Sequence, residues 1–366
     1  MILYVYDKTI TLLGVVEKIT SLVWTEKKYT YGIFEMLLPV TDDNLALLQE
    51  NRLIMRDDDE TSQAGEILYT HIKKSVDGGE TLEVTGKLLS HWLSDRLLYS
   101  SIESQTLKPQ ELMRRAVSEN AINASPARNY PLLILGTIAE TRTQAALDYK
   151  SEENITLLDM LEDLGAAEDT GFNINVDRTA KRFKFNTYTG TDHTLESNNP
   201  CIFSVEFENI LEQEYTRSIE NLKNVAYVFG DEKSTIVDDF PFIVGAASGH
   251  ARKEVFVNSK SVKQGDLTDP EYEAALRTSG DIALKKYAET VNFYNRINSA
   301  AGGFKYGKDY TIGDKVTCIN TRWGLTINAV ITEAQTTYED GQKSIYLTFG
   351  DALPTLLEKI KNIKTR

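Results

Sequence analysis

The chain has 366 residues, 41% hydrophobic and 26% charged, close to ordinary globular values, so wholesale disorder is excluded and roughly two to four domains fit the length. Fifty-four acidic against 40 basic residues leave a formal charge of −14, which excludes a basic footprint for gripping nucleic-acid backbones; a like-charged wall would instead let DNA pass without sticking. No apolar run approaches the roughly 18 residues of a membrane helix, Met1–Asp7 carries no basic leader, and Cys201 and Cys318 lack disulfide-framework or metal spacing. The expectation is a soluble chain made in a cytoplasm, without membrane insertion, whose two thiols are ordinary and half-buried.

Eighteen Tyr and 13 Phe lean the chain toward β-structure, because aromatic and branched side chains suit a pleated, half-buried surface. From Ile19 to Leu38 apolar and polar residues alternate around Tyr29, Tyr31, Ile33 and Glu35, which predicts two strands and a connection. A helical turn over Asp42–Gln49, a strand at Arg52–Met55 and the acidic loop Asp57–Glu60 follow. Ile67–Lys74 and Thr81–Val84 flank Asp77-Gly78-Gly79, where glycine supplies the positive φ of a tight hairpin. Leu88, Leu89, Trp92 and Leu93 then recur at helical spacing.

Near residue 104 the character changes. Pro109 opens a helix predicted to reach Asn120, with Leu112, Met113, Ala116 and Val117 on its apolar face. Thr156 caps a second helix, with Asp159 three residues on and Leu157, Leu158, Leu161 and Leu164 inward, before Gly171 stops it. Phe172–Val176 and Arg182–Asn186 read as a hairpin under these helices, a small α+β unit that ends at the polar boundary Ser197–Pro200. Ile202–Tyr215 reads as a strand and turn, and Asn224–Phe229 alternates cleanly before Gly230-Asp231. Asp269 caps a helix to about Glu289; strands return at Lys315–Asn320, Leu325–Tyr338 and Ser344–Phe349, before a last helix over about Ala352–Lys361.

Two distant stretches share a layout: Arg52–Lys87 and Asp314–Asp351. Each runs from a short apolar strand through a polar loop to a longer strand, an Asp-Gly turn, and an alternating strand that ends in Gly. Asp77-Gly78 and Gly86 answer Asp340-Gly341 and Gly350, and Leu82 and Val84 answer Ile345, Leu347 and Phe349. Antiparallel hairpins resemble one another, so a chance likeness stays open beside a duplicated barrel. The shared terminal Gly and the helical periodicity after each copy favour duplication. The expected fold class is α+β and β-rich: two similar small antiparallel β-barrels of tail-tube type, at 1–103 and 201–366, separated by an α+β insertion at 104–200. The second barrel carries the inserted helix at about 269–289 and the C-terminal helix.

The segments LVWTEKKYTYGIFEMLLP and VTGKLLSHWLSDRLL resemble the N-terminal barrel of siphophage and prophage tail hub proteins; ENLKNVAYVFGD, IGDKVTCIN and IYLTFGDALPTLLEKI resemble that family's second barrel and closing segment. The resemblance implies a structural baseplate or tail-tip hub in the virion, assembled in the host bacterial cytoplasm. It implies a homotrimer whose two barrels per chain form a six-fold-like ring that meets tail-tube or distal-tail rings. Tape-measure and tip or receptor-binding proteins are further implied partners; the acidic excess is expected to line the lumen in part, so that DNA passes without specific binding. Longer members carry extensions for host contact or cell-wall cleavage; this sequence stops at Arg366, so no enzyme is expected.

No residue is nominated as catalytic, cofactor-binding or metal-binding. Asp57–Glu60 lacks the glycine and downstream glutamate of a calcium loop and reads as a solvated hairpin tip. His71, His91, His193 and His250 are scattered without triad or metal spacing. Ala300–Gly303 reads as a connection rather than a phosphate cradle, and Ser248, Gly249, His250 and Arg252 as a surface loop or a mobile interface loop. The competing functional class is a carbohydrate-binding or cell-wall-degrading protein of the host surface, but a glycosidase pair cannot be picked from 54 carboxylates.

Overall fold

The computed structural model describes the chain apart from residues 59–61, 77, 100, 140–145, 153–154, 231–240, 299–302, 340 and 351–366. The final helix expected over 352–361, Asp59, Glu60, Asp77, Asp231, Asp340 and most of Ala300–Gly303 therefore lie outside the described residues. The fold is β-rich, with 44% strand and 19% helix.

The first third holds β1 (Leu3–Tyr6), β2 (Leu12–Val16), β3 (Ser21–Lys27), β4 (Ile33–Pro39), α1 (Asp42–Leu47), β5 (Leu53–Arg56), β6 (Gly65–Lys74) and β7 (Glu80–Leu88). Alternation sets the buried face: Leu22 and Trp24 of β3, Phe34, Met36 and Leu38 of β4, and Leu82 and Val84 of β7 share one core with Leu3, Val5, Ile54 and Ile67. Thr41 caps α1 by accepting from the Asn44 amide at 3.1 Å. Gly78 has φ +88°, as the hairpin reading required. After β7 the expected helical turn is a 3-10 segment, Leu89–Asp95, that buries Leu89, Trp92 and Leu93.

The middle third holds β8 (Glu103–Ser104), α2 (Pro109–Val117), β9 (Leu133–Ala139), β10 (Tyr149–Lys150), α3 (Leu157–Ala167), β11 (Gly171–Asp177) and β12 (Arg182–Tyr188). Thr156 caps α3 through a reciprocal box with Asp159, as the sequence indicated. β11 and β12 form the expected hairpin, and β9 adds alongside β12 in parallel. Leu112, Met113, Leu161, Phe172 and Phe185 join Trp92, Leu93, Leu53 and Met55 in a single core. The insertion is thus packed onto the first third and not tethered beside it.

The last third holds β13 (Asp192–His193), β14 (Ile202–Ser204), β15 (Ile210–Ser218), β16 (Val225–Phe229), β17 (Phe242–Val244), β18 (Glu254–Asn258), α4 (Asp269–Lys286), β19 (Thr290–Ile297), β20 (Lys315–Asn320), β21 (Leu325–Glu339) and β22 (Gln342–Gly350). The strand and turn expected over 202–215 are β14 and a 3-10 turn at Val205–Phe207, after which a second strand, β15, begins at Ile210. The cap of α4 is Thr268, reciprocally bonded with Glu271, and not Asp269. β16, β17 and β18 form a small sheet covered by α4, with Tyr272 and Leu276 against Ala226, Val228 and Phe242.

The strand order reveals the repeat. In the first third neighbours run β5-β6-β7-β4-β3; in the last third they run β20-β21-β22-β19-β15. Each β-strand has a counterpart in the same sequential position. Phe34 faces Gly86 across β4 and β7 as Phe293 faces Phe349 across β19 and β22. A bulge follows Ile67 in β6 and Ile331 in β21, and Trp24 lies beside Phe34 (5.6 Å between ring centres) as Tyr215 lies beside Phe293 (5.1 Å). The place of Gly86 is therefore taken by Phe349, and the expected match of Gly86 with Gly350 is off by one residue.

Two closed barrels, expected from the sequence, are not found among the described residues. The large sheet is continuous, from β15 through β22, β21, β3 and β7 to β2. The reason is the length of β21: its first half pairs with β20, whereas Glu333–Glu339 pairs with Lys27–Ser21 of β3. Backbone groups that could close the second sheet upon itself are spent on joining the two repeats.

Candidate assembly site

A buried polar site runs along the seam between the repeats. Along β3 the register sets Thr336 opposite Trp24 and Ala334 opposite Glu26, and Lys28 donates its amide to the Thr332 carbonyl at 3.0 Å. Glu26 is buried; its Oε2 accepts from Gln63 Nε2 at 2.9 Å and from the Tyr306 hydroxyl at 3.2 Å, and Arg56 approaches its other oxygen at 3.6 Å. The Arg56 guanidinium also lies over the Trp24 ring at 5.1 Å. These contacts draw three remote segments onto one strand, and buried charge is tolerable here because it is paired.

The acidic loop after β5 belongs to this seam. Asp58 accepts from the Tyr338 hydroxyl and the Lys343 ammonium of the β21–β22 hairpin, and Arg56 Nε lies 3.6 Å away. Partial burial raises its pKa, but Arg56, Lys343 and Tyr338 outweigh that and hold it below the usual carboxylate range. The loop that read as a solvated tip is, at Asp58, a latch on the second repeat. Nothing in the sequence paired Asp58 with residues 280 and more positions away.

A second buried carboxylate, Glu66 of β6, accepts from His91 Nε2 at 2.8 Å, Trp92 Nε1 at 2.5 Å and Lys8 Nζ at 2.6 Å. Burial alone would raise its pKa; the three donors bring it down to about 2. The cluster fastens the 3-10 segment onto β6. His71 instead lies exposed beside Glu83 at 3.5 Å, His193 donates from Nδ1 to the Asn199 carbonyl at 2.8 Å, and His250 sits in the short 3-10 turn Gly249–Ala251. The histidines thus fall into unrelated neighbourhoods. Arg252 packs over Tyr227 and bonds Glu254, which ties the loop containing Ser248 down onto β18.

Cys201 and Cys318 are free and fully buried rather than half-buried, and burial pushes Cys201 up to about 11 and Cys318 higher still. No group of three or more metal-ligating side chains forms among the described residues, and none of their helices is long and apolar enough to cross a membrane. A cleft of about 220 Å³ opens between the insertion and the α4 unit, lined by Lys150, Asp163, Phe256 and Lys286. Its two lysines are already paired: Lys286 with Asp163 at 2.7 Å, and Lys150 with Glu103 at 2.8 Å.

Among the described residues, two edges of the ten repeated strands stay open. β15 pairs only with β19. β6 pairs with β5 only at Gly65 and Glu66, which leaves the outer side of Leu68–Lys74 without a strand. Leu68, Tyr69 and Ile72 of β6 and Leu211 of β15 are exposed there.

Known proteins agree with this picture. A family model described as Siphovirus ReqiPepy6 Gp37-like protein matches residues 2–351. Among solved structures the chain is similar to a tail protein from Neisseria meningitidis MC58 (TM-score 0.60, 12% identity, 95% of this chain and 96% of that one). It is similar as well to a 43 kDa tail protein of prophage MuSo2 from Shewanella oneidensis (0.59, 9%, 95% and 98%) and to prophage tail protein gp18 from Listeria monocytogenes EGD-e (0.55, 10%, 100% and 98%). None of the curated proteins matches. Identities this low establish shared fold only, but the family match spans nearly the whole chain: the protein belongs to the Siphovirus ReqiPepy6 Gp37-like family of phage tail proteins.

Proposed function

We propose that the chain is a non-enzymatic structural hub of the tail tip or baseplate, a homotrimer that joins the hexameric tail tube or distal-tail ring to the tip. The observation that carries this reading is the doubled strand order, β5-β6-β7-β4-β3 against β20-β21-β22-β19-β15. Three copies of a two-repeat chain present six equivalent units, which is the match a six-fold ring requires. The division into 1–103, 104–200 and 201–366 assigns the ring to the two outer parts and leaves the insertion to face outward or close one end. Tape-measure and tip or receptor-binding proteins are the remaining partners in this scheme, and the virion tail tip its location.

The solvent face of the continuous sheet supports passive passage of DNA. Glu35, Glu83, Glu212, Glu214 and Glu333 alternate there with Lys27, Lys73, Lys87 and Arg296, so no basic track is available to hold phosphate. This near balance gives weaker repulsion than the overall charge led one to expect. Mass measurement in solution with imaging of the particles tests the proposal. A trimeric ring that binds purified tail tubes is the expected result; a monomer at every concentration, or saturable turnover of cell-wall glycan, would overturn it.

A further inference from the structure

Each repeat has the same two edges, and within one chain a single pair of them is already joined: the outer edge of β21 meets the outer edge of β3. The corresponding pair, β6 of the first repeat and β15 of the second, is left open. We propose that β6 pairs antiparallel with β15 of a second copy of this chain, in the register that β21 and β3 use within one copy. The inference rests on the ring reading above and names the surface that would close the ring.

The register follows from equivalences already fixed. Ile67 answers Ile331 before the shared bulge, and Trp24 answers Tyr215 beside the paired phenylalanines. Carrying over Thr336 opposite Trp24 sets Ile72 opposite Tyr215 of the second copy, and Thr337 opposite Val23 sets Lys73 opposite Glu214. The inward face then pairs an aliphatic with an aromatic residue, and the outward face an ammonium with a carboxylate, both favourable cross-strand combinations. Shifting the register by one residue would turn Ile72 and Lys73 to the wrong faces.

Exposure supports the same partner. Thr336 is 1% exposed because β3 covers it, whereas its counterpart Ile72 is 52% exposed. Long unpaired edges with apolar side chains are templates for strand addition, and these two strands run 10 and 9 residues. A contact between different edges of identical chains is head-to-tail, and such contacts either close into a ring or grow into a filament. Lys73 against Glu214 gives the contact a sign, so that β6 does not pair with β6 nor β15 with β15.

The test is thiol cross-linking of full-length K73C/E214C, since directly opposed residues on paired strands lie within reach of a short bifunctional reagent. Cys201 and Cys318 are buried and do not compete. The expected result is a covalent ladder that stops at the trimer, with K73C or E214C alone giving none. Separately, K73E should raise the trimer dissociation midpoint roughly tenfold and K73E/E214K should restore it. A trimer by mass that neither cross-links nor responds to charge reversal overturns this pairing and leaves the ring standing. A chain that stays monomeric at all concentrations overturns both.

Discussion

The two repeats share one strand order but fill it differently. In the first, Phe34 lies over two glycines: a Cβ on Gly86 would stand 2.5 Å from its ring, and one on Gly65 likewise. In the second, Phe349 occupies the site of Gly86 and packs against Phe203 and Phe293. The second repeat thus sets two phenylalanines opposite each other where the first sets a phenylalanine over glycine, and each core is close-packed around its own set. What differs more is coverage: β3 is roofed by β21, and β15 is bare. Topology is thus held constant while packing and edges are free to specialise.

The comparison breaks most readily at Phe349. Phe349→Ala removes a fully buried ring that packs against Phe203 and faces Phe293, and should destabilise the chain by about 3–5 kcal/mol in denaturant melts. Gly86→Ala attacks the same place in the first repeat from the opposite direction. Its Cβ would fall 1.9 Å from the Glu66 carbonyl oxygen, so backbone must shift, at about 1–3 kcal/mol. Equal tolerance at the two sites would show that the repeats are not packed as counterparts.

A third test sharpens the role of Glu66, which has no counterpart carboxylate in the second repeat, where Val330 stands. Because its folded pKa lies near 2, below an unfolded value near 4.5, its stabilisation is complete above pH 4.5 and is lost as pH falls toward 2. The loss should reach about 3 kcal/mol, and Glu66→Gln should flatten that part of the pH-stability curve. A wild-type curve without this slope would remove the cluster of His91, Trp92 and Lys8 as a stabilising device.

Much of the local structure was legible in the sequence, and little of the assembly site. The hairpins at Gly78 and Gly341 were readable because positive φ, here +88° and +77°, selects glycine. The α3 box at Thr156 and Asp159 was readable because capping is decided within four residues. β19, the partner of β4 in the repeat, was missed: in TVNFYNRI the buried positions include Asn292 and Asn295, so the alternation is not one of apolar with polar. β1, β2 and β9 were missed as well, each being short or adjacent to turns. The Asp58 latch and the β3–β21 seam depend on pairings across some 300 residues, which periodicity cannot encode; only the internal repeat hinted that two distant edges share a geometry.

The smallest effect concerns the insertion, where the pH slope should run opposite to that of Glu66. Glu162 of α3 accepts from Thr30 in the β3–β4 turn, and its partial burial, with Asp159 and Asp163 on the same helix, pushes its pKa up to about 7 against the opposing pull of Thr30 and Lys286. A carboxyl with a raised folded pKa binds its proton more tightly in the folded chain. Its contribution is therefore full below about pH 4.5 and declines as pH rises through 7. Allowing for solvent screening at this partly exposed site, Glu162→Gln should stabilise the chain at pH 8 by about 1 kcal/mol and leave pH 4 unchanged. The second repeat offers the control, because the connection from β15 to β19 carries the whole α4 unit in place of a short turn. If Glu162→Gln alters stability equally at both pH values, the contact between α3 and the β3–β4 turn is steric, and charge has no part in seating the insertion on the first repeat.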